Sequence, residues 1–242
     1  MKRYAPLLVA CLMAGLVAFP FIRNHTIGER GMPGAQIGGH FVLESSAGPL
    51  DTSVLGKDLI LIYFGYTYCP DVCPISLQKL AKSLDAVRKS KEAKYFDIDA
   101  IFVSVDPNRD TNQRIDEYTK IFHPDLIGLT QKQNDSPELK SILKKFKIHV
   151  SKIYLTDEDS EQDKQTLKEN APEVVKMLDE TQTKPDDKYT LDHTIVVYLM
   201  GPQNNFLTYL GSNLDENAMT DIILDEVSAD LKKSTLAAAV NK

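Results

Sequence analysis

Two cysteines four residues apart, Cys69 and Cys73, carry the strongest chemical signal in this 242-residue sequence. They lie in the stretch GYTYCPDVCP, Gly65 to Pro74. The thiolate is the form of cysteine that attacks disulfides and binds soft metals, and the positive end of a helix favours it. A four-residue step puts two helical side chains on one face. The Cα separation at that step, about 6 Å, also lies within disulfide range. The pair could therefore grip one ion together or close a disulfide. Two thiolates on one face suit a soft ion, Cu(I) above all, with Zn second. Two sulfurs alone leave the ion open, so a third ligand is expected.

Imidazole suits copper, and the sequence holds five histidines. His25 and His40 lie near a Gly/Pro-rich linker, His123 ends a helix and His149 starts a strand; a structural or surface role fits each. His193 differs, because it opens a strand just before a terminal hairpin. Spacing alone leaves it a candidate ligand. Thioredoxin-type oxidoreductases separate their cysteines by two residues. Here three intervene, which argues against fast disulfide exchange.

The elements that must position these residues can be read from pattern. Leu59 to Phe64 is a continuous apolar run, as in a strand buried on both faces. Gly65 breaks it and Tyr66 to Asp71 forms a loop. From Val72 the apolar positions fall at helical spacing, so Cys69 sits at the loop mouth and Cys73 in the first helical turn. Pro70 and Pro74 are tolerated there, because first-turn N–H groups lack intrahelical partners. Gly39 to Leu43 and Gly48 to Leu50 suggest a short hairpin. Asp97 to Val105 reads as a buried strand. Asp110 or Thr111 caps a helix running to Phe122, where His123-Pro124 stops it. Leu126 to Leu129 is a short strand, and Asp135 or Ser136 caps a helix to about Phe146. Ile148 to Leu155 and Ile195 to Met200 read as strands, with Phe206 to Leu210 pairing the latter. Leu214 to Leu231 is a closing amphipathic helix with a frayed Ala-rich tail. Strands alternating with helices predict an α/β fold with a central mixed sheet flanked by helices. A cysteine pair at the first strand–helix junction points to the thioredoxin-like version.

The formal net charge of −6 argues against nucleic acid as a partner. Ala5 to Ile22 runs 18 residues without a charge, after Lys2 and Arg3. That length reads as an uncleaved N-terminal transmembrane helix, with the soluble domain on the far side of the membrane. Leu8 to Cys11 loosely resembles a lipoprotein cleavage box, but the apolar flanks do not fit one. Asp157 to Lys188 holds 11 acidic and 5 basic residues, a net −6 equal to that of the whole chain. It reads as an exposed, partly helical insertion, with a solvated loop as its simplest role.

Beyond these readings the sequence resembles a known family. GYTYCPDVCP, VDPNRDT (Val105 to Thr111), FHP (Phe122 to Pro124), GLT (Gly128 to Thr130) and DHTIVVYLMGP (Asp192 to Pro202) look like the Sco/SenC family. The resemblance covers roughly Ile37 to Leu231 apart from the insertion. It implies a thioredoxin-like fold and one copper, Cu(I) with Cu(II) as a second state, bound by Cys69, Cys73 and His193. It also implies a membrane-anchored copper chaperone that passes copper to the binuclear centre of cytochrome c oxidase subunit II. The same cysteines can be oxidised to a disulfide in that family. Asp192 becomes an outer-sphere or partner-contact residue. Asp71 becomes an outer-sphere residue or, equally, a carboxylate at the helix N-terminus.

The resulting organisation is an anchor at 1–23, a linker at 24–36 and a thioredoxin-like copper-binding domain at 37–233. That domain includes the acidic insertion at 157–188, and a flexible tail follows at 234–242. The expected function is copper delivery without enzymatic turnover, after loading by an upstream copper donor. The expected location is the inner membrane, facing a bacterial periplasm or a mitochondrial intermembrane space. The alternative is a thiol-disulfide oxidoreductase that reduces the cysteines of oxidase subunit II and has no need of His193. A one-cysteine peroxidase is disfavoured by the paired cysteines.

Overall fold

A computed structural model describes residues 37–55, 58–132, 136–180 and 188–240, with side chains to 229. The expected anchor and linker lie outside the described residues. Among the described residues no helix is long and apolar enough to cross a membrane.

The central element is β3 (Leu59–Gly65), every residue of which is buried. It pairs in parallel with β4 (Ile98–Ser104) on one side and antiparallel with β8 (Val196–Met200) on the other. With β5 (Ile127–Leu129) and β9 (Phe206–Gly211) at the edges, the sheet order is β5-β4-β3-β8-β9. This is the mixed sheet of a thioredoxin-like fold. The parallel half needs helical crossovers, and the chain supplies them. These are α1 (Val72–Lys89) between β3 and β4, and α2 (Asn112–Phe122) between β4 and β5. A closing helix, α6 (Glu216–Val240), packs against α1. The expected Ala-rich tail thus begins as helix, which continues to Val240.

Capping follows the sequence in part. Thr111 caps α2, accepting the N–H of Arg114, while Asp110 turns into the core. Ser136 caps α3 (Pro137–Phe146) with Pro137 in its first turn, as a helix start prefers. The expected hairpin is β1 (Val42–Ser45) with β2 (Gly48–Asp51).

The third quarter of the chain departs from expectation. The strand expected at Ile148 to Leu155 is β6 (Val150–Tyr154), and it does not join the central sheet. It pairs antiparallel with β7 (Tyr189–His193) in a separate two-stranded sheet. His193 therefore closes β7 and does not open the strand of the terminal hairpin. The acidic insertion lies between β6 and β7, and its described part, 157–180, is not a solvated loop. It forms α4 (Asp157–Asn170) and α5 (Pro172–Glu180). Thr156 and Asp159 close a reciprocal capping box at its start. Most of α4 is exposed, but Leu167, Ala171, Val174 and Met177 are buried in the main core. Four anchored apolar side chains explain why so charged a segment takes a defined place.

Candidate metal centre

Each ligand arrives from a different kind of element. Cys73 lies in the first turn of α1 and is fully buried, its sulfur under the end of β3. Gly65 makes that approach feasible: a Cβ at residue 65 would meet the Cys73 Sγ at 2.8 Å and a Phe102 ring carbon at the same distance. Cys69 lies on the loop, where its N–H bonds the carbonyl of Tyr66 at 3.3 Å. Its Sγ accepts the N–H of Cys73 at 3.4 Å, one of the unpaired donors of a helix start. His193 comes from the end of β7. Its Nδ1 donates to the carbonyl of Thr194 at 3.0 Å, which leaves Nε2 as the acceptor facing Cys73 Sγ at 3.5 Å. Cys69, Cys73 and His193 bring one ligand atom each within 4.8 Å of one another. A carbonyl that fixes the histidine tautomer is a common support for a metal-binding imidazole.

The two thiols are made unequal by their surroundings. Cys69 is held well below the usual thiol range, first by the hydrogen bond from the Cys73 thiol and then by the N–H groups of Cys73 and Asp71, against the effect of burial. Burial pushes the Cys73 thiol well up, and the neighbouring Cys69 adds to this. Of the two, Cys69 therefore gives up its proton the more readily and Cys73 holds its own the more tightly. Two sulfur donors and one neutral imidazole nitrogen form a soft set suited to copper.

Two networks hold the ligands from behind. Behind the loop, the buried carboxylate of Asp110 accepts from the N–H and hydroxyl of Thr67, at 3.1 and 2.6 Å, and from the Ser104 hydroxyl at 2.7 Å. Burial pushes this carboxyl up to about 6, with Asp106 adding to the shift. Behind β7, the hydroxyl of Tyr66 accepts the N–H of Leu191 at 3.1 Å and bonds the Thr190 hydroxyl at 2.7 Å. The Tyr66 ring stands edge-on to His193, centroids 5.8 Å apart. Arg109 pairs with Asp106, donates to the carbonyl of Tyr189 at 2.8 Å and stacks on its ring at 3.6 Å. The Tyr189 hydroxyl in turn donates to Asp106 at 2.7 Å.

All three expected ligands thus meet. The two expected outer-sphere carboxylates do not face them. Asp71 is exposed, makes no side-chain cap to α1 and accepts from the Asn170 amide at 3.1 Å. Asp192 is exposed on the opposite face of β7 from His193, as alternation along a strand requires. The Thr194 carbonyl takes the orienting role, and a backbone acceptor leaves no sequence signature. His40 is exposed, and His123 accepts the N–H of Asp125 away from the site. Gly65, Tyr66 and Asp110 were visible in their motifs, but what each supports becomes clear only in three dimensions.

A family model described as SCO1/SenC matches residues 29–171 and 163–228. The chain belongs to the SCO1/SenC family. The two matched segments overlap at the end of α4, so the match divides within the insertion. Among SCO1/SenC relatives, the chain is 38% identical over 195 residues to an Arabidopsis thaliana protein named "Protein SCO1 homolog 1, mitochondrial", covering 80% of this chain and 48% of that one. It is 32% identical to the Saccharomyces cerevisiae "Protein SCO1, mitochondrial", covering 83% and 57%. The chain thus spans about half the length of these two relatives. A SCO2-like protein of Rickettsia conorii is 30% identical over 79% of this chain and 77% of its own. Among solved structures, Arabidopsis thaliana ScoI with copper bound is 33% identical, with a TM-score of 0.61 over 80% of this chain and 99% of that one. Yeast Sco1 with copper bound is 29% identical, with a TM-score of 0.59 over 80% and 89%.

Proposed function

We propose that this SCO1/SenC protein is a copper metallochaperone that holds one copper on Cys69, Cys73 and His193 and delivers it to the binuclear centre of cytochrome c oxidase subunit II. The convergence of two thiols and a tautomer-fixed imidazole carries this reading. Disulfide exchange needs only the cysteines, so a buried histidine aimed at them favours metal binding. Three ligands leave a copper open to one more. A docked acceptor can add its ligand before the donor releases, so copper moves by ligand exchange without turnover. An upstream donor loads the site. Residues 1–23 anchor the chain in the inner membrane, and the domain faces a periplasm or an intermembrane space.

The decisive measurement is copper per chain for the reduced full-length protein in detergent. About one copper per chain, retained against a weak chelator and lost in His193→Ala, is the expected result. No retained copper, with a readily exchanging Cys69–Cys73 disulfide, would replace this reading with thiol-disulfide exchange. The inequality of the two thiols favours that second reading, since a low-lying thiol attacks and a high-lying one resolves. In that case the protein reduces the subunit II cysteines, and His193→Ala leaves the exchange intact.

A further inference from the structure

The three ligand residues are sealed from solvent. Cys69 is 3% exposed, Cys73 0% and His193 5%. An incoming ligand cannot reach either sulfur until something moves. Cys73 is fixed inside α1, beneath Gly65. His193 ends a strand held by pairing with β6, by Tyr66 and by the Asp106–Arg109 pair. Cys69 alone sits on a loop.

That loop is held from outside by the insertion. Asn170, the last residue of α4, donates its side-chain amide to the carbonyl of Pro70 at 3.3 Å and to the Asp71 carboxylate at 3.1 Å. Pro70 and Asp71 are two of the three residues between the cysteines. The Asn170 carbonyl accepts from Gln78 of α1 at 3.1 Å, which ties the clamp to the cysteine helix. Ala171 and Val174, immediately after it, are 2% and 0% exposed, so Asn170 is seated on an anchored base. Leu167 seats the same end of α4 in the core, while most of the helix is exposed. A cavity of about 430 Å³ separates it from Tyr68, Arg109 and Tyr189. Asn170 is thus a point of attachment between the insertion and the ligand loop.

We infer that Asn170 is a positioning residue that gates copper exit. Its bonds to Pro70 and Asp71 keep the Cys69 loop closed, and they must break before an acceptor reaches the sulfurs. The insertion therefore sets the rate of handover, not the ligand set. This rests on the copper-handover reading above, although the closed loop itself can be tested without metal.

The test follows transfer of Cu(I) from the loaded full-length chain to excess bicinchoninate. Asn170→Ala should keep about one copper per chain yet release it about five- to tenfold faster, the effect of losing one or two modest hydrogen bonds. Asn170→Asp, which sets a carboxylate against Asp71, should release it faster still. Adding Asp71→Asn to Asn170→Asp restores an amide–carboxylate pair in reverse and should return the rate toward wild type. A merely structural loss in α4 would not be rescued in this way. In parallel, alkylation of Cys69 by N-ethylmaleimide in the reduced, metal-free chain is read by peptide mass. It should accelerate in the single variants and slow again in the swap. Unchanged rates in Asn170→Asp, or acceleration that Asp71→Asn fails to reverse, overturn the gate. Absence of copper from the wild type overturns the chaperone reading alone, and the alkylation series then decides the gate.

Discussion

Gly65 ends the central strand directly over the sulfur of Cys73: a side-chain carbon at position 65 would lie 2.8 Å from that Sγ. The strand that centres the sheet and the ligand deepest in the core are therefore fitted to one another. Gly65→Ala should push Cys73 along α1 or the strand away from it. Overpacking of this kind costs about 1–3 kcal/mol of folding stability. Copper affinity should fall at least about tenfold as the sulfur leaves its place. A competition titration with a Cu(I) chelator, beside a denaturation curve, checks both. Wild-type affinity in the variant would mean the sulfur shifts freely.

Copper uptake should release about one proton per ion near neutral pH. Cys69 lies well below the usual thiol range and Cys73 well above it, so Cys73 is the thiol expected to give up its proton as it becomes a ligand. Copper affinity should accordingly rise about tenfold per pH unit across the neutral range. A pH indicator in weak buffer reads the proton count directly. Two protons per copper would show that both thiols are protonated beforehand.

Asp110 should make the fold less stable as pH rises from about 4 to about 6. Its carboxyl sits at about 6 in the folded protein, above the ordinary value of 3.8. Between those values the folded chain holds a proton that the unfolded chain has lost, so stability declines as pH rises through the window and levels above it. The effect amounts to about 3 kcal/mol at most, since each unit is worth about 1.4 kcal/mol. Asp110→Asn, nearly isosteric, should remove this component from the pH profile of chemical denaturation. Parallel wild-type and variant profiles would place the proton elsewhere.

Tyr66→Phe should loosen β7 without removing a ligand. It leaves the Leu191 N–H and the Thr190 hydroxyl without their partner. A buried donor left unpaired costs about 1–3 kcal/mol. Amide exchange should speed at Leu191 and His193 ahead of the central sheet, with about one copper per chain still bound. Uniform acceleration through β3 and β4 would instead indicate a global loss of stability.

Arg109→Lys should damage the other support of β7. Lysine keeps the charge but cannot give Asp106 and the Tyr189 carbonyl a planar fork of donors, nor stack on the Tyr189 ring as guanidinium does. A loss of about 2–4 kcal/mol is expected in a denaturant titration, because the Asp106 carboxylate is fully buried. A loss below about 0.5 kcal/mol would show that lysine replaces the network.

What the sequence determined by itself is local. The apolar run of β3, the break at Gly65 and the helical spacing after Val72 place Cys69 and Cys73 one turn apart, because strand burial and helix periodicity act over a few residues. The capping residues Thr111 and Ser136 are legible for the same reason, and the spaced motifs together identify the family. The tertiary structure decided what is distant. His193 lies 120 residues from Cys73 in sequence. Only the pairing of β6 with β7, held by Tyr66 and Arg109, brings its imidazole to the sulfurs. The same strand geometry turns Asp192 outward, since adjacent side chains in a strand point to opposite faces. The insertion reads as solvated because its composition is acidic. It is docked because four of its apolar residues find a core that composition cannot display.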